Sequence, residues 1–120
     1  MLQNMTTAIG AMILAALGGL AVGPPALAGE AAIAKGKELA FDRKKGNCLA
    51  CHMIDDGELA GNVGPPLLAM KARYPERSEL RDQIWDATVA NPRTTMPPFG
   101  KHGILTDEEI DLITDYIYTL

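Results

Sequence analysis

The sequence predicts a small all-α domain built around one central group, and three observations predict it. Residues 30–42, 79–90 and 106–120 repeat apolar side chains at helical spacing. Cys48-Leu49-Ala50-Cys51-His52 reads C-x-x-C-H, the attachment signature of a c-type haem. Aromatic residues make up only 5% of the chain, so its core lacks volume that a large apolar disc would supply.

The motif's spacing has a chemical reason. Two thiols three positions apart reach the two vinyl groups of one porphyrin, and the next imidazole falls under the iron as its proximal ligand. A thioredoxin-like dithiol would need no histidine and would want a βαβ surrounding. A zinc site would need two further ligands at matching spacing, yet Cys48 and Cys51 are the only cysteines. With both sulfurs in thioethers no thiol remains, so sulfur-transfer chemistry would have to take place on another chain. Net charge is −4, which argues against nucleic acid, whose backbone demands a basic face.

Residues 8–22 are almost wholly apolar or Gly. Pro24-Pro25 breaks the run, and Ala26-Leu27-Ala28 is a small-residue cleavage site. Residues 1–28 therefore read as a secretory signal peptide, and residues 29–120 as one exported domain with no membrane attachment after cleavage. The stretch before Ala8 carries no Lys or Arg, which departs from the signal-peptide rule and which a true start a few residues upstream would explain. A retained membrane anchor is the rival reading, although the run is shorter than the roughly 20 residues that span a bilayer.

The first helix, residues 30–42, turns Ile33, Leu39, Ala40 and Phe41 inward and Glu30, Lys35, Lys37 and Glu38 to water. Gly36 within it suggests close packing of another helix. Arg43-Lys44-Lys45 reads either as solvated surface or as a positive rim that orients an acidic redox partner. Residues 53–63 have no period. In Gly64-Pro65-Pro66-Leu67, a rigid Pro65 carbonyl is placed to accept the Nδ1 proton of His52. A short helix over 67–72 ends at Tyr74-Pro75. The next helix, 79–90, has Ser78 as its N-cap and Leu80, Ile84, Ala87 and Val89 inside. Trp85 either donates its indole N–H to a haem propionate or packs in the core. Asn91-Pro92 stops that helix. Thr106-Asp107-Glu108-Glu109 is a capping box opening the final helix, with Ile110, Ile113, Ile117 and Leu120 on its apolar face.

Candidates for the sixth iron ligand are Met53, Met70, Met96 and His102. Met53 adjoins His52 and cannot reach the other face of the ring. Met70 suits a flexible core filler. Met96 lies in an irregular loop stiffened by Pro97-Pro98, an odd place for a core residue and a good one for a thioether ligand, which raises the potential. His102, between Gly100 and Gly103, is its rival.

This layout resembles the class I cytochromes c, in which the first and last helices cross; Gly36 would be the point of close approach and Tyr116 part of the facing surface. The strings Gly46 to His52, Gly64 to Leu67, Asn91-Pro92 and Met96 to Thr106 are also similar to the SoxX family, the small haem subunits of periplasmic SoxAX complexes. That resemblance implies one haem c, with Cys48 and Cys51 as thioethers, His52 as proximal and Met96 as distal iron ligand. It implies SoxA as heterodimer partner, which carries the site cysteine and helps join thiosulfate to a cysteine of the carrier SoxYZ. The chain would be the non-catalytic subunit that accepts electrons from that step and passes them to another cytochrome c. A free-standing periplasmic carrier is the alternative, and a ligand sensor or peroxidase would need an open sixth site.

Overall fold

The computed structural model describes residues 18–19 and 25–120. Most of the expected leader, residues 1–28, lies outside the described residues. Those residues form four α-helices: α1, Pro25–Phe41; α2, Met70–Arg73; α3, Arg77–Trp85; and α4, Asp107–Ile117. A 3₁₀ turn over Cys48–Ala50 follows α1. Among the described residues there is no strand, only a single bridge between Ile54 and Leu67. The all-α expectation holds.

Helix α1 begins five residues before the expected Glu30. Pro25 sits at the first helical position, where its fixed φ suits the helix and its missing N–H costs nothing. The principal pairing is α1 on α4. A Cβ added at Gly36 would lie 2.0 Å from the Leu112 carbonyl oxygen and 2.9 Å from Tyr116 Cβ, so only glycine lets the two backbones approach this closely. The Phe41 and Tyr116 rings meet edge to face across the crossing, with centroids 6.1 Å apart. The Tyr116 hydroxyl is buried there without a hydrogen-bond partner among the described residues.

Helix α4 opens with the expected capping box. The Thr106 hydroxyl accepts the Glu109 N–H at 3.1 Å, and the Glu109 carboxylate accepts the Thr106 N–H at 3.0 Å. Ile110, Ile113 and Ile117 are buried beneath it. On its outer flank Asp107, Asp111 and Asp115 face Arg77 and Arg81 of α3. Arg77 Nε lies 2.6 Å from Asp115, and Arg81 Nε lies 2.7 Å from Asp111.

Helix α3 departs from expectation at both ends. It starts at Arg77, with Glu76 as N-cap, so Ser78 lies inside the helix and does not cap it. It stops at Trp85 rather than Ala90. The buried Asp86 carboxylate accepts the Thr88 N–H at 3.0 Å and the Thr88 hydroxyl, and pairs with Lys101 Nζ at 3.2 Å. A side chain that binds the backbone two residues on competes with the helical ladder and ends it. Val89, expected inside, is consequently exposed. The short second helix is also shifted: Leu67 is taken up by the bridge to Ile54, and the helix begins only at Met70.

Candidate haem site

Three hydrogen bonds shape the segment after α1. Gly46 N–H donates to the Leu39 carbonyl, Asn47 N–H to that of Asp42, and His52 N–H to that of Cys48 at 2.9 Å. Asn47 takes the left-handed conformation (φ 49°) and turns the chain into the 3₁₀ turn. Cys48, Cys51 and His52 then line one cavity of about 790 Å³.

The imidazole of His52 is fixed from two sides. Its Nδ1 lies 2.7 Å from the Pro65 carbonyl oxygen, as expected from Gly64-Pro65-Pro66. That oxygen can only accept, so Nδ1 carries the proton and Nε2 is the free nitrogen. Gly64 backs the ring: a Cβ there would lie 2.4 Å from His52 Cε1. Gly64 N–H donates to the Cys51 carbonyl at 2.8 Å, and Leu67 N–H to that of Met53 at 2.9 Å, which hold the proline segment against the motif. The role of Gly64 escaped the sequence reading, although its place before Pro65 was a usable signal.

Met96 also lines the cavity, on the loop after α3. Its N–H donates to the Thr94 hydroxyl at 3.1 Å. His102 is exposed and does not line the cavity, and Met53 is 53% exposed and also off it. Met70 is buried and does line it. Trp85 does not: its indole N–H donates to Asp107 at 3.2 Å, not toward the cavity. The indole N–H is thus engaged away from the cavity, and the ring, 37% exposed, is only partly buried, against Gly100 and not in the central core.

Leu80, Ile84, Phe99, Leu105, Ile113 and Ile117 supply the cavity's apolar wall. The cavity is a cleft partly open to solvent, and its apolar wall would be left wet without a group to cover it. The basic residues Arg43, Lys44, Lys45, Arg73 and Arg93 line it too, and no Asp or Glu does. A flat apolar group bearing acidic substituents fits this arrangement, as does a macrocycle joined through Cys48 and Cys51. Burial pushes the Cys48 thiol up to about 12, so as a free thiol it would stay protonated at neutral pH and serve poorly as a nucleophile. Among the described residues no three His, Cys, Asp or Glu side chains gather to hold a bare metal ion.

Helices wrapped about such a cavity define a c-type cytochrome domain. Residues 31–117 match the family model described as cytochrome C oxidase, cbb3-type, subunit III, and the chain belongs to that family. It is similar to an uncharacterized lipoprotein of Aquifex aeolicus (strain VF5), with 40% identity over 76 residues, 62% of this chain and 37% of the relative. It is also similar to the cbb3-type cytochrome c oxidase subunit CcoP of Azospirillum sp. (strain B510), with 34% identity over 86 residues, 62% of this chain and 27% of the relative. The chain thus spans well under half the length of either curated relative. Among solved structures it is similar to a chain in the crystal structure of SoxXA from P. pantotrophus. The TM-score is 0.65 and the identity 26%, over 72% of this chain and 79% of that one. A cytochrome c domain carries haem and transfers electrons. Among the described residues no helix is long and apolar enough to cross a membrane.

Proposed function

We propose that the chain is an exported monohaem electron-transfer domain in which Cys48 and Cys51 form the thioethers, His52 is the proximal ligand and Met96 the distal one. The observation that carries this reading is the single cavity lined by all four residues, from which His102 is absent. A haem bound there supplies a one-electron iron couple. The Pro65 carbonyl holds the Nδ1 proton of His52 and leaves Nε2 as the nitrogen that would hold the iron. Pro97 and Pro98 stiffen the loop that presents the Met96 sulfur. With His52 and Met96 both holding the iron, the site would move electrons and leave no place for substrate on the metal. Residues 1–28 act as the signal peptide, and the domain works in the periplasm.

Met96→Ala should abolish the weak sulfur-to-iron charge-transfer band at the red end of the oxidised spectrum while haem stays attached. Persistence of the band in that variant defeats the ligand assignment.

The likeness to SoxXA supports a finer reading. In it the chain pairs with a SoxA-type haem subunit and accepts electrons as thiosulfate is joined to the SoxYZ cysteine, then hands them to another cytochrome c. The family match and the likeness to CcoP favour a second reading, a periplasmic carrier serving a terminal oxidase. Purification from the native host separates the two. Co-purification with a larger haem protein whose loss abolishes thiosulfate-dependent reduction of this chain supports the first; a lone monomer that re-reduces oxidase supports the second.

A further inference from the structure

The loop that carries Met96 leaves and rejoins the same end of α3. On the outgoing side Asn91 N–H donates to the Ala87 carbonyl at 3.1 Å, and Thr94 N–H to that of Asn91 at 3.0 Å. On the return side the Trp85 carbonyl accepts Gly100 N–H at 3.0 Å and Lys101 N–H at 3.3 Å. The Trp85 ring covers Gly100 so closely that a Cβ there would lie 1.9 Å from Cδ1 and 2.1 Å from Nε1. The ring is itself anchored, its N–H donating to Asp107 in the first turn of α4 at 3.2 Å. Asp86 adds the pairing with Lys101 at 3.2 Å. Phe99, next to Gly100, is buried and lines the cavity, so any shift at Gly100 passes directly to the cavity wall.

We infer that Trp85 is a positioning residue for the Met96 sulfur: its ring, packed on Gly100 and tethered to Asp107, latches the return side of the loop. The inference rests on Met96 being the distal ligand. A loop closed at its stem loses little freedom when its tip binds iron, so a broken latch lets the tip swing away. Neither Trp85 nor Gly100 lies in the attachment motif, so haem attachment survives the break.

Trp85→Leu removes the ring from a position over a third exposed and leaves the backbone bonds in place. Gly100→Ala drives a methyl group into the ring. Each oxidised holoprotein should keep its covalent haem and its helical content, lose intensity in the sulfur-to-iron band, and bind added imidazole about three- to thirtyfold more tightly, the scale of one or two lost hydrogen-bond equivalents. A wild-type band together with wild-type imidazole affinity in either variant overturns the latch, and Trp85→Leu alone decides if Gly100→Ala gives no holoprotein. Met96→Ala measured in parallel separates the two levels. A band that survives there sinks the ligand assignment, whereas a band lost there and intact in the Trp85 and Gly100 variants sinks only the latch.

Discussion

At the scale of single residues the site depends on groups that a motif search passes over. His52 is named by its place after Cys51, but its orientation comes from the Pro65 carbonyl and from the missing side chain at Gly64. Gly64→Ala would press a methyl group onto the imidazole. We expect the oxidised holoprotein to lose about 1–3 kcal/mol, the usual cost of overpacking a filled site. Denaturant unfolding followed at the haem absorbance measures it, and an unchanged midpoint would show that the ring has room to move. Met96 was legible for a related reason: two prolines after it leave a methionine no helical or strand role. Trp85 was not legible, because the acceptor of its N–H stands 22 residues away on another helix.

At the scale of elements the crossing of α1 and α4 frames the molecule. Gly36→Ala would bring Cβ to 2.0 Å from a backbone oxygen, which no rotamer change can relieve. The helices must separate, and we expect a loss of about 3 kcal/mol or more, above the common range for an added methyl. The shift in urea midpoint of the holoprotein tests it, and a shift equal to that of an exposed Gly→Ala change would refute it. The same helix pair is linked to the haem segment by Lys45, whose Nζ lies 2.6 Å from Glu109. The Lys45 ammonium, and then the Thr106 N–H, hold the Glu109 carboxyl below its ordinary value of 4.5. A depressed carboxyl stabilises the fold above the unfolded value and loses that contribution as pH falls through the folded one. The stability gap between wild type and Lys45→Gln should therefore be full at neutral pH and close on acidification below 4.5. Thermal melts across that range check it, and a gap that grows in acid contradicts the sign.

At the scale of the whole molecule the cavity is the dominant fact. The buried residues of α3, α4 and the Met96 loop turn toward a space of about 790 Å³ and not wholly toward one another. A core so divided cannot offset the chain entropy of a domain this small. The double variant Cys48→Ser/Cys51→Ser, exported without covalent haem, should retain part of its helical circular dichroism and lose its near-ultraviolet signal and its cooperative melt. A sharp melt in the colourless protein would show that the helices close the space unaided. Charge is also partitioned at this scale. The chain is acidic overall, yet the charged residues lining the cavity are all basic, the acids being drawn to the ladder on α4 and to Lys37, which pairs with Asp56 at 2.6 Å.

The sequence by itself determined what is local in the chain. The haem-attachment turn, the capping box of α4, the glycine at the helix crossing and the proline-stiffened loop are all written within a few residues, because covalent reach and backbone geometry act over a few residues. Only the tertiary structure decided where α3 ends, that Val89 faces water, that His102 stays off the cavity and that Trp85 grips Gly100. The end of α3 turns on a local contact of Asp86 with Thr88 that competes with the helical period, whereas the grip of Trp85 on Gly100 turns on partners distant in the chain. Lys101 meets Asp86 only when the Met96 loop closes on the end of α3, and Asp107 meets Trp85 only when the last helix has packed, and no periodicity encodes meetings of that kind.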